Sequence, residues 1–352
     1  MAAKPRENYW KTVGTLLGAF VGLGITTLLL NGRDPDYGLA VFVLMPLSVG
    51  IVTSVVVARK GLGGFRSSAC YSSLALGLIG ATYFFDAGEG LVCIAMAAIP
   101  LLLVLLIGVG IGYAIAKARD SKRNGPMSVV ALIIFLPPVA ADELFHRDHA
   151  TQVAYSTSVD IAASPEVVWQ EIEHLGALPP AHDWMSKLGL ACPETTELKG
   201  RGVGAERDCT LSTGPMRETI TAWEPGKKLG FVALQTPPPM RELNPFGDPH
   251  PAHLQQRYFR ILYGEFTLKR LDTGMTRLTR TTRFEHRIRP AVYWTSWCNL
   301  AADYAHRRVL DTIKLRSEGT ERLHLARRGS TGRRNQLNDL LRSTSRLVRK
   351  KG

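Results

Sequence analysis

Cysteine is scarce in this chain. Only five of 352 residues are Cys, and Cys70, Cys93, Cys192, Cys209 and Cys298 include no C-x-x-C pair. The spacing therefore supports neither a zinc ribbon nor a dithiol redox motif. Cys70 and Cys93 lie in apolar stretches, where the thiol behaves as a small hydrophobe. Cys192 and Cys209 read as two free core thiols, with a disulfide as the alternative if the domain is exported. No Gly-rich phosphate loop, Ser/His/Asp order or metal-ligand spacing is found, so no cofactor and no metal is expected. Acidic residues are also short: 30 Asp and Glu against 43 Lys and Arg leave a net charge of +13. The excess sits in loops flanking apolar runs and in the tail from Glu321 to Lys351. Anionic lipid headgroups account for it. Without zinc-finger or RNA-binding aromatic signatures, nucleic acid is not expected as a partner.

Charge is almost absent from long stretches of the first 141 residues. Crossing about 30 Å of hydrocarbon as a helix takes roughly 20 apolar residues. Thr12 to Leu30, Leu39 to Ala58, Ala69 to Phe85 and Leu91 to Ala116 meet this requirement. The runs are too many and too long for a cleaved signal peptide. Glycines 14, 18, 22 and 24 suit close helix packing. A fifth run, Met127 to Ala141, carries Pro137 and Pro138, and reads either as a span or as a re-entrant segment. Lys4, Arg6 and Lys11, then Arg59, Lys60 and Arg66, then Lys117, Arg119, Lys122 and Arg123 fall in alternate loops. The positive-inside rule then places the amino terminus in the cytoplasm. With the fifth run crossing, the rest of the chain lies outside, and without it that part is cytoplasmic. The extracytoplasmic arrangement is the one expected, in an integral protein of a bacterial inner membrane. Asp86 and Glu89 fall at a Gly-bounded turn and read as loop carboxylates. No acid or His falls mid-span, which argues against a proton-coupled carrier and for an anchor.

From Ala154 the period changes to that of strands. Tyr155 to Ile161 alternates, and Ser164-Pro165-Glu166 opens a helix with Ser at the N-cap and Pro at N1. Strands are expected at Lys187 to Leu198, Val203 to Leu211, Met216 to Trp223, Lys228 to Gln235, Arg257 to Leu271 and Thr276 to Ile288. A hairpin turn is expected at Asp272-Thr273-Gly274. Pro290 to Glu318 has helical spacing. This order predicts a curved antiparallel sheet wrapped around a long terminal helix. The chain is thus α+β: a transmembrane helical bundle of four to five spans (1–141), a helix-grip domain (154–318) and a basic tail (319–352). STSVDIAASPEVVWQEI (Ser156 to Ile172), RGVGAER (Arg201 to Arg207), STGPMRETITAWEPGKKLGF (Ser212 to Phe231), GEFTL (Gly264 to Leu268), GMTRLTRTT (Gly274 to Thr282) and HRRVLDTIK (His306 to Lys314) resemble the START-like, polyketide-cyclase-like (SRPBCC) superfamily. The resemblance implies a ligand cavity between sheet and helix. That superfamily includes lipid carriers, receptors, cyclases and hydrolase-activator domains, and it has no shared catalytic motif, so the resemblance implies no reaction.

Four features carry candidate chemistry. The Pro-rich loop Thr236 to His253 reads as a lid held by Met240, Leu243 and Phe246, or as a plain surface loop. In the polar set Arg207, Glu218, Glu242, His250, His253 and Arg280, His253 with Glu242 forms a candidate catalytic acid/base pair. Arg207 with Glu218 reads as a ligand-orienting pair or as a solvent-face ion pair. Trp294, Trp297 and His306, among the aromatic residues Tyr293 to Tyr304, are candidate ligand-binding residues that core packing explains equally. The tail Leu337 to Lys351 reads as a basic amphipathic helix lying on an anionic membrane surface, or as a solvated segment. The expected function is a membrane-tethered module that binds a hydrophobic small molecule (a lipid, isoprenoid or polyketide-like compound). The alternatives are a cyclase or dehydratase, and an assembly or sensor subunit without ligand.

Overall fold

The protein is seen in a computed structural model that describes Tyr9, Thr12, Val13, Thr15, Leu17, Gly18 and Phe20, then residues 40–59, 63–86, 88–118 and 150–349, with side chains as far as residue 324. Three helices among these residues are long and apolar enough to cross a membrane. They are α1 (Met45–Arg59), entered through a π-turn at Ala40–Leu44, α2 (Phe65–Phe85) and α3 (Leu91–Ala118). Of the four to five spans expected, these three are found among the described residues. Most of Thr12 to Leu30, and all of Met127 to Ala141, lie outside the described residues.

Small residues let α1 and α3 touch along their backbones. A Cβ at Gly108 would stand 2.4 Å from the Leu47 carbonyl, and one at Gly112 would stand 2.6 Å from that of Ile51. Gly50 faces back against Leu105 and Val109, and Ser54 Oγ donates to the Val109 carbonyl at 3.1 Å. This is small-xxx-small packing, which lets two helix backbones approach closely. The one described glycine of the four singled out in the first apolar run, Gly18, likewise faces Thr53.

The second part of the chain is built on an eight-stranded antiparallel sheet of order β1-β8-β7-β6-β5-β4-β3-β2. Its strands are β1 (Thr151–Ile161), β2 (Gly176–Ala177), β3 (Pro193–Lys199), β4 (Glu206–Leu211), β5 (Gly214–Glu224), β6 (Lys228–Ala233), β7 (Phe259–Arg270) and β8 (Thr276–His286). Helix α4 (Pro165–Glu173) follows β1, and a short α5 (Trp184–Lys187) precedes β3. The final helix α6 (Ala291–Arg349) crosses the sheet. Its buried Val309, Leu310 and Ile313 pack with Val168, Trp169 and Ile172 of α4 against Ile220, Phe231, Phe266 and Leu278 of the sheet. The arrangement is a helix grip. The Asp272–Gly274 hairpin forms as expected, with Gly274 at φ +79°, a conformation that glycine adopts without steric penalty.

Two boundaries moved for physical reasons. The strand expected from Lys187 begins only at Pro193, because Asp183 caps α5 by accepting the amides of Met185 and Ser186 at 3.0 and 3.1 Å. The helix expected to end at Glu318 continues to Arg349, since no Gly-Pro stop intervenes.

Candidate functional site

The two halves meet at the turn between α2 and α3. A helix hairpin leaves orphan amides at the start of one helix and orphan carbonyls at the end of the other. The loop between β6 and β7 supplies their partners. Leu91 N–H donates to the Leu243 carbonyl at 2.9 Å, and Cys93 N–H donates to Glu242 Oε1 at 3.1 Å. Asn244 Nδ2 donates to the carbonyls of Phe84 and Glu89 at 2.7 and 2.8 Å. Phe246 closes the contact against Phe84 and Phe85, with ring centroids 5.7 and 4.9 Å apart. A second clamp comes from α6. Pro100, inside α3, has no amide for the carbonyl four residues earlier, that of Met96. The Tyr293 hydroxyl donates to that carbonyl. Phe42, Tyr258, Ile288 and Trp294 then pack as one buried cluster across the junction.

Between these clamps lies a cavity of about 450 Å³, lined by Phe42, Met45, Leu76, Gly80, Ile94, Leu101 and other apolar groups of the N-terminal helices, and by His253, Ile288 and Trp294 of the grip domain. Its volume is in the range of small-molecule sites. Its polar lining includes Glu89, Cys93 and His253. Cys93 Sγ stands 3.0 Å from His253 Nε2, and Glu89 Oε1 stands 3.6 Å from His253 Nδ1. Burial lowers the His253 pKa to about 4, so its ring is neutral at physiological pH. Burial also raises the Glu242 carboxyl above its ordinary range, and its Oε2 finds no hydrogen-bond partner among the described residues.

A second polar group lies inside the grip. Arg207 on β4 pairs with Glu218 directly opposite on β5, and both are buried. The solvent-face reading of that pair is therefore corrected, because the alternation of β4 turns Arg207 and Cys209 inward together. The Arg207 guanidinium stacks over Phe231 at 4.7 Å. Arg280, also buried, lies 5.4 Å from the Phe266 ring, and two of its nitrogens lack hydrogen-bond partners among the described residues. Burial and the neighbouring Arg207 lower its pKa to about 10. His306 on α6 links Thr282 Oγ1 at 2.7 Å to Thr157 Oγ1 at 3.1 Å, tying the helix to β8 and β1.

The candidate residues thus divide between two places. Glu242, His253, Met240, Trp294 and Trp297 gather at the junction, whereas Arg207, Glu218 and His306 lie within the grip. His253 and Glu242 meet on Cys93, and Glu89 is the carboxylate beside the Nδ1 of His253. His250 is exposed and solvated beside Asp248. The loop of Thr236 to His253 holds its Met240 in a buried cluster with Cys93 and Leu254. Sequence reasoning missed Glu89 and Cys93, read as a loop carboxylate and a small hydrophobe. Their four-residue spacing at a helix start, which turns both to one side, was the available signal. All five cysteines are free, Cys192 and Cys209 included.

No protein-family model matches the chain, and no curated protein matches it in sequence. Among solved structures, the chain is similar to a protein of Nitrosospira multiformis at 17% identity, over 48% of this chain and 99% of that one, with a TM-score of 0.30. It is also similar to norcoclaurine synthase from Thalictrum flavum in complex with dopamine and hydroxybenzaldehyde, at 12% identity over 49% and 89% of the two chains, TM-score 0.32. A third is the Zhui aromatase/cyclase from Streptomyces sp. R1128, at 14% identity over 48% and 94%, TM-score 0.31. Likeness at these scores assigns no activity. The functional reading rests on the geometry above.

Proposed function

We propose that this protein binds an apolar, lipid-like molecule in the cavity between its membrane helices and its grip domain, with the grip domain seated on the outer face of the membrane. The observation that carries the reading is the lining of the 450 Å³ cavity, which is apolar and drawn from both halves of the chain. The wall drawn from the apolar helices (Leu76, Gly80, Ile94) offers a hydrocarbon chain an apolar surface to lie against. The soluble wall (His253, Ile288, Trp294) offers the polar end of such a molecule a few placed groups. This moves the expected ligand site from the interior of the grip, which is filled largely by core side chains, to its membrane-facing end.

The outer face is favoured by which helix ends the domain touches. Arg59, Arg66 and Lys117 mark one end of the three helices, the end the positive-inside rule assigns to the cytoplasm. The grip domain contacts Phe84, Glu89, Leu91, Cys93 and Met96, all at the opposite end. A membrane-impermeant maleimide should therefore label Trp184→Cys in intact spheroplasts, in a background with Cys70 and Cys298 replaced by Ser. Labelling only after lysis would place the domain inside.

The experiment for the binding itself is lipid extraction and native mass spectrometry of the full chain, purified in mild detergent. One apolar molecule per chain is expected, and its absence from cooperatively folded protein would count against the reading.

A further inference from the structure

We propose that Glu89, Cys93 and His253, with Glu242 beside them, form a binding site for a divalent transition-metal ion, zinc foremost. One ligand atom from each of Glu89, Cys93 and His253 lies within 4.8 Å of the other two. The Cys93 Sγ to His253 Nε2 separation of 3.0 Å is already short enough for both to reach one ion, given Zn–S near 2.3 Å and Zn–N near 2.0 Å. The three residues come from different places: the α2–α3 turn, the first turn of α3, and the loop after β6. Local spacing can bring Glu89 and Cys93 together, but nothing in local secondary structure requires His253 to join them.

The donor set selects the class of ion. A thiolate and an imidazole favour zinc and its first-row neighbours, whereas magnesium and calcium prefer oxygen shells. Glu242 explains why an ion suits the site better than a bare nucleophile. A thiol acting as a nucleophile, with His253 as base and Glu89 behind it, needs surroundings that favour thiolate. Here a second carboxylate, Glu242, accepts the amide of the same cysteine at 3.1 Å, and its Oε2 is buried without a hydrogen-bond partner among the described residues. Two would-be anions side by side in a dry site repel each other, and a divalent cation between them removes the conflict. Binding exchanges the Cys93 proton for the ion. Glu89, 3.6 Å from Nδ1, either closes the shell or orients the ring as a carboxylate–histidine pair.

Because Glu89, Cys93 and His253 all line the apolar cavity, an open coordination position would face whatever occupies it. The site does not depend on that occupant, since the ion can be measured alone.

The test uses the full chain in detergent, stripped with a chelator and titrated with Zn²⁺ and then Co²⁺, with metal content read by inductively coupled plasma mass spectrometry. One equivalent per chain is expected, with a thiolate-to-cobalt charge-transfer band that Cys93→Ser removes. His253→Gln should abolish tight uptake, and Glu89→Gln should weaken it roughly 10- to 100-fold. Near-UV circular dichroism identifies any variant that misfolds, and the wild-type titration decides the matter without variants. Stripped, folded wild-type protein that takes up neither ion would overturn the proposal. So would a cobalt complex lacking the thiolate band.

Discussion

Single residues in the grip show how burial sets protonation. His306 is buried and hydrogen-bonded to two threonine hydroxyls, and burial, with Arg280 nearby, lowers its pKa to about 2 from the ordinary 6.5. Its folded pKa lies below the unfolded one, so the unfolded chain binds the extra proton as pH falls below 6.5. The stability it contributes is complete above about pH 6.5 and is lost on acidification. One such group adds a slope approaching 1.4 kcal/mol per pH unit, roughly, in acid. His306→Gln, which keeps polar contacts to Thr157 and Thr282 but cannot titrate, should lower the slope of the unfolding midpoint between pH 6.5 and 5. Equal slopes for the two proteins would mean that His306 is protonated in the fold. The pattern of β4 shows what sequence could and could not give here. Alternation put Arg207 and Cys209 on one face, but which face was inward depended on the curvature of the whole sheet.

At the scale of elements, the loop between β6 and β7 was legible as unusual and not as what it is. Its prolines and apolar anchors suggested a lid. In the structure it is a strap that caps the apolar helices α2 and α3, and its proline content suits it because the strap holds an extended path while giving its polar groups to another element. Capping by a distant segment leaves no local signature, unlike the Asp183 cap of α5, which lies next to the helix it serves. Asn244 carries the clearest test, since its Nδ2 serves both the Phe84 and the Glu89 carbonyls. Asn244→Ala should cost about 1–2 kcal/mol of docking. Amide exchange should quicken at Leu91, Cys93 and residues 236–253, with little change in β7, β8 or the middle of α6. Uniform acceleration across the grip would mean that the strap supports the whole domain rather than the junction.

For the whole molecule, the division into an apolar helical half and a grip domain was readable from hydropathy and from the change of period near Ala154. The succession of strands and the long last helix pointed to a curved antiparallel sheet around a helix, as did the resemblance to START-like proteins, whereas the pairing of β1 with β8 has no local signal. What sequence could not show was that the halves share a surface. Gly80, Ile94, His253 and Trp294 are distant in the chain, and periodicity reports only which face of each element is apolar, never which element covers it. The pairing of His253 with Cys93 and Glu89 is hidden for the same reason: the candidate residues were expected within one domain, and these three meet between two. The central claim, that this shared cavity holds an apolar ligand, is tested most directly at Gly80. A Cβ there would meet one atom within 4 Å, Ile94 Cγ2 at 3.9 Å, so a larger side chain can enter the cavity without a clash at its root. Leucine also favours the helix by up to about 1 kcal/mol relative to glycine. Native mass spectrometry of wild-type protein and Gly80→Leu, purified side by side, should find an apolar molecule on the first and none on the second, with the unfolding midpoint of the variant equal or higher. Equal ligand occupancy in the two proteins would contradict the account.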